Sequence, residues 1–324
     1  MKKLLVVLLA LTLALGAMPL AACSGSADYT VGIVQLVTHD ALDAATAGFK
    51  DALTEEMNKA GKTVKFDEQN AGNESATCST IANNFVAKNY DLIMANATPA
   101  LQAAVNATSA IPILGTSVTE YGVALGLKDF DGTTGMNVSG TSDLGDLDSQ
   151  AQMILDLVPG VKKVALLYCS AEPNSKYQVE KVAEYLSGKG VESREYAFGE
   201  TNDLSSVVNG AADYGDAIYV PTDNTVAANK ETIDAVCRPL GKPIVAGEEG
   251  ICGGCGIATL SISYYNIGRK TGEMAAEILL RGGDISKMPI EYDTAATYKY
   301  NAEICEALGI TVPANYVKIE KKAE

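Results

Sequence analysis

A chain of 324 residues, 47% hydrophobic and 20% charged, can supply two ordinary domains of about 150 residues, each with a full core. Its formal charge of -15 becomes -17 if an N-terminal signal takes away Lys2 and Lys3, since no acid goes with them. So acidic a surface excludes nucleic acid and anionic membrane as partners, and the absence of low-complexity tracts excludes extended disorder.

Lys2 and Lys3 precede an apolar stretch over 4–16 that is too short to span a bilayer comfortably, which predicts a secretory signal over 1–22. Leu20-Ala21-Ala22-Cys23 resembles the lipobox of bacterial lipoproteins, which implies acylation of Cys23 and a lipid anchor at the cell membrane. Stable anchoring takes two or more acyl chains. Residues 23–28 are then a short tether.

From residue 29 the chain alternates apolar runs with helical periods. Strands are predicted over 31–37, 64–66, 92–95 and 111–114, with helices over 40–59, 76–88 and 99–107 between them. The Gly-, Thr- and Ser-rich segment 116–142 has no sustained helical period and reads as a crossing between lobes. A second series repeats the first. Its helices fall over 144–157, 175–187, 204–211 and 226–238, and its strands over 164–168, 194–196, 217–220 and 244–246. A strand over 257–262, a helix over 267–281, an extended segment over 290–300 and a short helix over 302–308 close the chain. Repeated βα units of this kind predict an α/β fold in two Rossmann-like three-layer lobes joined by a hinge.

The chemistry is expected where strands end. Ala217-Ile218-Tyr219-Val220 is apolar enough for a strand buried on both faces, and Pro221 stops it because it has no N–H to donate. Asn224 or Thr225 can cap the helix that follows, leaving Asp223 over the crevice. Glu172, Asp223, Glu248 and Glu249 all follow strands of the second half and suit an ammonium group. Thr98, Thr116 and Ser117 occupy the matching turns of the first half and suit a carboxylate. Together they describe a zwitterion such as a free amino acid. Gly-x-Ser-x-Gly, His-Glu-x-x-His and P-loop motifs are missing and His39 is the only histidine, so neither catalysis, a metal nor a cofactor is indicated. His39 follows a strand end and is a candidate ligand contact.

Six cysteines remain besides Cys23, and six allow 15 pairings. Cys252-Gly253-Gly254-Cys255 is the one tight pair. A structural disulfide involving Cys252 or Cys255, with Cys237 as a third candidate, is expected.

Several stretches in order carry a family resemblance: Val31-Gly32-Ile33-Val34-Gln35, Asn96-Ala97-Thr98-Pro99-Ala100, Glu172 with Asn174-Ser175, Pro221-Thr222-Asp223-Asn224-Thr225, and Ala246-Gly247-Glu248-Glu249-Gly250 before Tyr264-Tyr265. The chain resembles the substrate-binding lipoproteins of ABC importers, in the branch associated with tryptophan and tyrosine. The resemblance implies a type I periplasmic-binding-protein fold whose lobes exchange segments near Asn137, Leu260 and Ile290. Lobe 1 is expected over 29–138 plus 262–289 and lobe 2 over 139–261 plus 290–324. It implies a monomer that delivers an aromatic amino acid to an ABC permease. Candidate ligand contacts are Gln35, His39, Thr98, Thr116, Ser117, Tyr121, Glu172, Asn174, Ser175, Asp223, Asn224, Thr225 and Glu248. Glu120-Tyr121 stands where a proline is common. Having no tryptophan, the chain must take any aromatic stacking from Tyr121, Tyr264, Phe85 or similar residues. A nucleoside or branched amino acid as ligand, a signalling receptor and an exported α/β enzyme remain the alternatives.

Overall fold

The computed structural model describes residues 27–293 and 295–320. The signal expected over 1–22 and the acylation expected at Cys23 lie outside them. Five parallel strands open the chain: β1 (Tyr29–Gln35), β2 (Val64–Asn70), β3 (Leu92–Asn96), β4 (Ile113–Val118) and β5 (Val138–Ser142). Between them run α1 (Asp40–Lys59), α2 (Ser75–Ala87), α3 (Thr98–Ala107) and the short α4 (Tyr121–Leu125), which the sequence pattern does not announce. The second series is α5 (Leu147–Leu157), β6 (Lys163–Cys169), α6 (Pro173–Gly188), β7 (Glu192–Phe198), α7 (Thr201–Tyr214) and β8 (Ala217–Val220). It continues with α8 (Asn224–Ala227), α9 (Lys230–Cys237), β9 (Ile244–Ala246), α10 (Glu249–Cys255) and β10 (Ala258–Ser261). The helix expected over 226–238 is therefore two pieces, broken at Ala228-Asn229.

The last elements are shared between two sheets. Helix α11 (Tyr264–Arg281) packs on the first half, β11 (Glu291–Tyr292) joins the first sheet, and β12 (Thr297–Tyr300) the second; α12 (Ala302–Leu308) and β13 (Val317–Lys318) follow. The first sheet has the order β11-β5-β4-β3-β1-β2 and is parallel throughout. The second has the order β13-β12-β10-β9-β8-β6-β7, with only the β10–β12 pair antiparallel. Since β5 and β11 both pair in the first sheet, the chain passes between sheets after Ser142, after Ser261 and after Tyr292.

Burial explains why the runs are strands. Every residue of β3, β4 and β8 is buried, as a parallel strand covered by helices on both faces requires. Helix α1 turns Leu42, Ala45, Phe49, Ala52, Leu53 and Met57 inward at helical spacing. It meets α11 backbone to backbone: a Cβ on Gly268 would strike the Ala45 carbonyl oxygen, and one on Gly48 that of Tyr265. The close crossing seats α11 over the first sheet, where Met274 and Ala275 join Val31, Ile33 and Leu114 in one apolar cluster.

The expected disulfide is not formed. Cys78, Cys169, Cys237, Cys252, Cys255 and Cys305 are all buried free thiols. Residues 252–255 lie within α10, which fixes Cys252 and Cys255 in one helical turn and packs both, with Cys237, into an apolar cluster under the second sheet. Cys255 Sγ donates to the Ile251 carbonyl oxygen at 3.4 Å.

Candidate functional site

In both sheets the strand order reverses beside the first strand of the series, between β1 and β3 and between β6 and β8. Ligands of open α/β sheets bind outside the carboxyl ends of strands at such reversals. Here the two reversals face one another across a cleft. His39 after β1, Ser117 in β4 and Tyr264 at the start of α11 line it from the first half. Asn174, Thr222, Asp223, Asn224, Ala227 and Glu248 line it from the second, and Asp143 from the first crossing.

The backbone is bent out of its ordinary range at the first-half wall. Ala97 has φ 93 and ψ 158, a region almost reserved for glycine, and Ser117 has φ 54. Pairing between β4 and β5 shifts register between Gly115 and Val118, so Ser117 sits in an irregularity at the strand end. Such a position costs about 1–3 kcal/mol and persists where the surroundings over-determine it. The Ala97 N–H donates to the Thr116 carbonyl at 3.0 Å, which ties the two bends together.

The second-half wall is built from carboxylates that hold helix starts. Asp223 Oδ1 accepts from the Val226 N–H at 2.9 Å, capping α8, and its Oδ2 accepts from the Cys169 N–H at 2.7 Å. Glu248 accepts from the Gly250 and Ile251 N–H groups at 2.6 and 2.5 Å, capping α10. Glu172 lies behind them. Its Oε2 accepts from Asn224 N at 3.0 Å and Nδ2 at 2.6 Å, and its Oε1 from Thr225 N and Oγ1, both at 2.8 Å. The free N–H groups at the start of α8 are thus satisfied by a carboxylate from the neighbouring turn.

Burial dominates the protonation of these groups. It pushes Glu248 up to about 7, against the pull of the two N–H groups it caps. Burial first, and the Glu172 carboxylate second, raise Asp223 above the ordinary carboxylate range. Burial also raises Asp143, opposed by the Tyr264 and Thr119 hydroxyls. His39 is pushed down by burial and stays neutral near pH 7, with its Nε2 3.2 Å from Asn224 Oδ1 across the cleft.

Hydrogen-bond capacity is left over at three points of the lining. Ser117 Oγ, Asp143 Oδ1 and Asn174 Oδ1 are buried without a partner. Asn174 Nδ2 donates to the Thr222 carbonyl at 3.1 Å, and Asp143 Oδ2 accepts from the Tyr264 hydroxyl at 2.9 Å, so each side chain is half satisfied and held in place. Buried polar groups are nearly always paired, and an orphan in a cleft calls for a ligand or water.

Of the residues expected from sequence, His39, Ser117, Asn174, Asp223, Asn224 and Glu248 line the cleft. Gln35 instead braces the start of α1, accepting from Thr46 Oγ1 at 2.6 Å and donating to Asp43 at 2.6 Å. Thr116 pairs with Thr141, which pairs with Thr271, behind the wall. Tyr121 is in the core with its hydroxyl on the Thr141 carbonyl. Thr98, Ser175 and Thr225 are buried beside the site without lining the cleft. Sequence reasoning missed Asp143, Thr222 and Ala227 as lining residues. Asp143 is the first acid after a Ser-Gly-Thr-Ser strand end, the only signal it gives. Among the described residues, no group of three or more His, Cys, Asp or Glu could hold a metal ion.

Residues 30–323 match the family described as ABC transporter substrate binding protein. A tyrosine-binding protein of Clostridioides difficile (strain R20291) is 35% identical over 295 residues, 91% of this chain and 85% of that protein. An ABC domain from Streptococcus pneumonia in complex with L-Trp superposes with TM-score 0.83 at 32% identity, covering 88% of this chain and 96% of the other. The ligand-free, open structure of a Clostridium difficile substrate-binding protein with adhesive properties gives TM-score 0.69 at 36% identity, covering 91% and 100%. With the matched fold, the facing reversals and the cleft between them, the chain belongs to the ABC transporter substrate-binding protein family, and its work is to bind a solute rather than transform one.

Proposed function

We propose that this protein binds a free α-amino acid with an aromatic side chain between two closing lobes and presents it to an ABC permease. The observation that carries the reading is the set of orphaned polar atoms, Ser117 Oγ, Asp143 Oδ1 and Asn174 Oδ1, around a cleft that no lysine or arginine lines among the described residues. A hydroxyl and carboxamide oxygen beside a carboxylate suit a ligand that brings its own ammonium donors. Tyr264 and Ala227 supply apolar surface for a ring. The tyrosine-binding and L-Trp-bound relatives support the aromatic class.

The proposed lobes are 29–142 with 264–292, and 147–261 with 297–318, following the sheets. Substrate-binding proteins of ABC importers are extracytoplasmic, and so is this one. Anchoring through acylated Cys23 is part of the proposal, resting on Leu20-Ala21-Ala22-Cys23. Cys23→Ser is expected to release the protein from the detergent phase; retention equal to the parent's refutes the anchor. For the ligand, the test is isothermal titration of protein stripped by unfolding and refolding, with tryptophan, tyrosine, phenylalanine, leucine and a nucleoside. Heat from tyrosine or tryptophan is expected. Binding of the nucleoside alone overturns the ligand class.

A further inference from the structure

The cleft presents three carboxylates, and only one of them has an oxygen with no hydrogen bond at all. Asp223 places one oxygen on the Val226 N–H and the other on the Cys169 N–H. Glu248 has one oxygen on the Gly250 N–H and one on the Ile251 N–H. Glu172, behind the wall, accepts four hydrogen bonds from Asn224 and Thr225. Asp143 alone has an oxygen, Oδ1, that is buried and without a partner. Its other oxygen is fixed by the Tyr264 hydroxyl at 2.9 Å, so the free one cannot swing away without breaking that bond.

Position adds to this. Asp143 is the first residue after β5, where the chain leaves the first sheet, and Tyr264 begins α11, where it has just returned. The bond between them joins two of the three crossings. A cation seated on Asp143 therefore touches the segments that must turn when the halves move, and its contact depends on their relative placement.

Resting on the reading that the ligand is an amino acid, we infer that Asp143 is the residue that receives its ammonium group and that Tyr264 is the positioning residue that aims the carboxylate. Asp223 and Glu248 shape the wall and hold helices α8 and α10; they do not form the ammonium's primary contact. Ser117 Oγ and Asn174 Oδ1 are the remaining orphans, and Asn174 Oδ1 is placed to accept a second ammonium hydrogen.

The test compares L-tyrosine with 3-(4-hydroxyphenyl)propanoate, which lacks only the amino group, and L-tryptophan with indole-3-propanoate. Titrations use the full stripped chain. In the parent, the amino acid is expected to bind at least about 10-fold tighter than its des-amino partner. Asp143→Asn is expected to weaken the amino acid about 10- to 100-fold and to leave the des-amino compound unchanged or tighter, since it removes a carboxylate that compound cannot satisfy. Asp223→Asn should weaken both compounds by the same factor, because its effect passes through α8. If the melting curve shows that Asp143→Asn does not fold, Tyr264→Phe carries the test. That variant keeps the carboxylate and frees it to turn, and should lower the preference for the amino group about threefold. A preference unchanged in Asp143→Asn, or in Tyr264→Phe when it stands in, overturns the inference, as does a parent that binds both members of a pair equally. A parent that binds neither amino acid overturns the ligand reading itself, and the inference with it.

Discussion

Glu172→Gln separates a wall brace from a ligand contact. In the parent, five donors converge on the Glu172 carboxylate: two backbone N–H groups, one hydroxyl, and the side-chain amides of Asn224 and, at 3.4 Å, Asn174. A glutamine can keep its oxygen on the Asn224 pair, which leaves its NH2 facing Thr225. The Thr225 hydroxyl can rotate to accept, but the Thr225 N–H cannot and is orphaned in a buried site. An unsatisfied buried N–H costs about 1–3 kcal/mol, and losing the charge on the Asn224 bonds adds roughly 1 kcal/mol. Removing the repulsion that Glu172 exerts on Asp223 returns part of this. The net is a loss of about 2 kcal/mol, which lowers the melting midpoint of a lobe-sized unit by about 4–8 °C. Calorimetry of stripped protein measures it, and titration should show tyrosine and its des-amino analogue weakened equally. An unchanged midpoint with a selective loss of the amino-bearing ligand would refute the reasoning and return Glu172 to the ligand.

Two further outcomes follow from protonation and packing. Glu248, raised from 4.5 to about 7, keeps a proton in the folded state that the unfolded chain has released. Its effect on ligand-free stability is therefore most favourable below about pH 4.5 and is lost as pH climbs towards 7. A cation in the cleft opposes that proton, so binding should release protons and tighten between pH 5.5 and 7.5; equal observed calorimetric enthalpies in Tris and phosphate, with no correction for buffer ionisation, would exclude it. Gly268→Ala should separate α1 from α11, because its Cβ meets the Ala45 carbonyl oxygen, at a cost of about 3 kcal/mol read from guanidinium unfolding. An unshifted midpoint would mean that the crossing is looser than it stands.

Much of the fold is legible because buried parallel strands leave continuous apolar runs, and residues 217–220 and 92–95 are such runs. The short end strands are not. The segment 290–300 reads as one extended piece, yet β11 and β12 belong to different sheets, a division set by pairing partners far away in sequence. The site is half legible for a related reason. Sequence shows that Glu172, Asp223 and Glu248 stand at strand ends; only the neighbourhood of β6 and β8 shows that their oxygens are occupied by helix starts. Asp143 gives the opposite case, an acid in a glycine- and serine-rich crossing whose importance depends on Tyr264, 121 residues away. Cys252 and Cys255 suggest a crosslink by proximity in sequence, but the helix α10 gives each a place in the core.

The halves stand closed, and the balance of polar groups says that they should not stay so without ligand. Among the described residues, contacts across the cleft include His39 to Asn224 at 3.2 Å, Asn73 Nδ2 to Thr225 Oγ1 at 3.0 Å, and Lys230 Nζ to Asp40 at 2.8 Å. Neutral hydrogen bonds are worth about 0.5–1.5 kcal/mol each and a part-exposed ion pair about 0–1 kcal/mol, so together they favour closure by about 1–4 kcal/mol. Against them stand three orphaned atoms, Ser117 Oγ, Asp143 Oδ1 and Asn174 Oδ1, at about 1–3 kcal/mol each if water is excluded from them. Opening wets all three. The empty protein is thus expected to favour an open form, and a ligand that satisfies the three atoms to reverse the balance by its differential contacts. The structure superposes better on the L-Trp complex, with TM-score 0.83, than on the open ligand-free structure, with 0.69, at comparable identity. X-ray scattering of stripped protein should show a radius of gyration that falls when tyrosine or tryptophan is added. Asn73→Ala, which removes one cross-cleft bond and no orphan, should weaken binding a few-fold without changing the preference for the amino group. A stripped protein as compact as the liganded one would show that the three contacts outweigh the orphans, and that closure does not depend on the ligand.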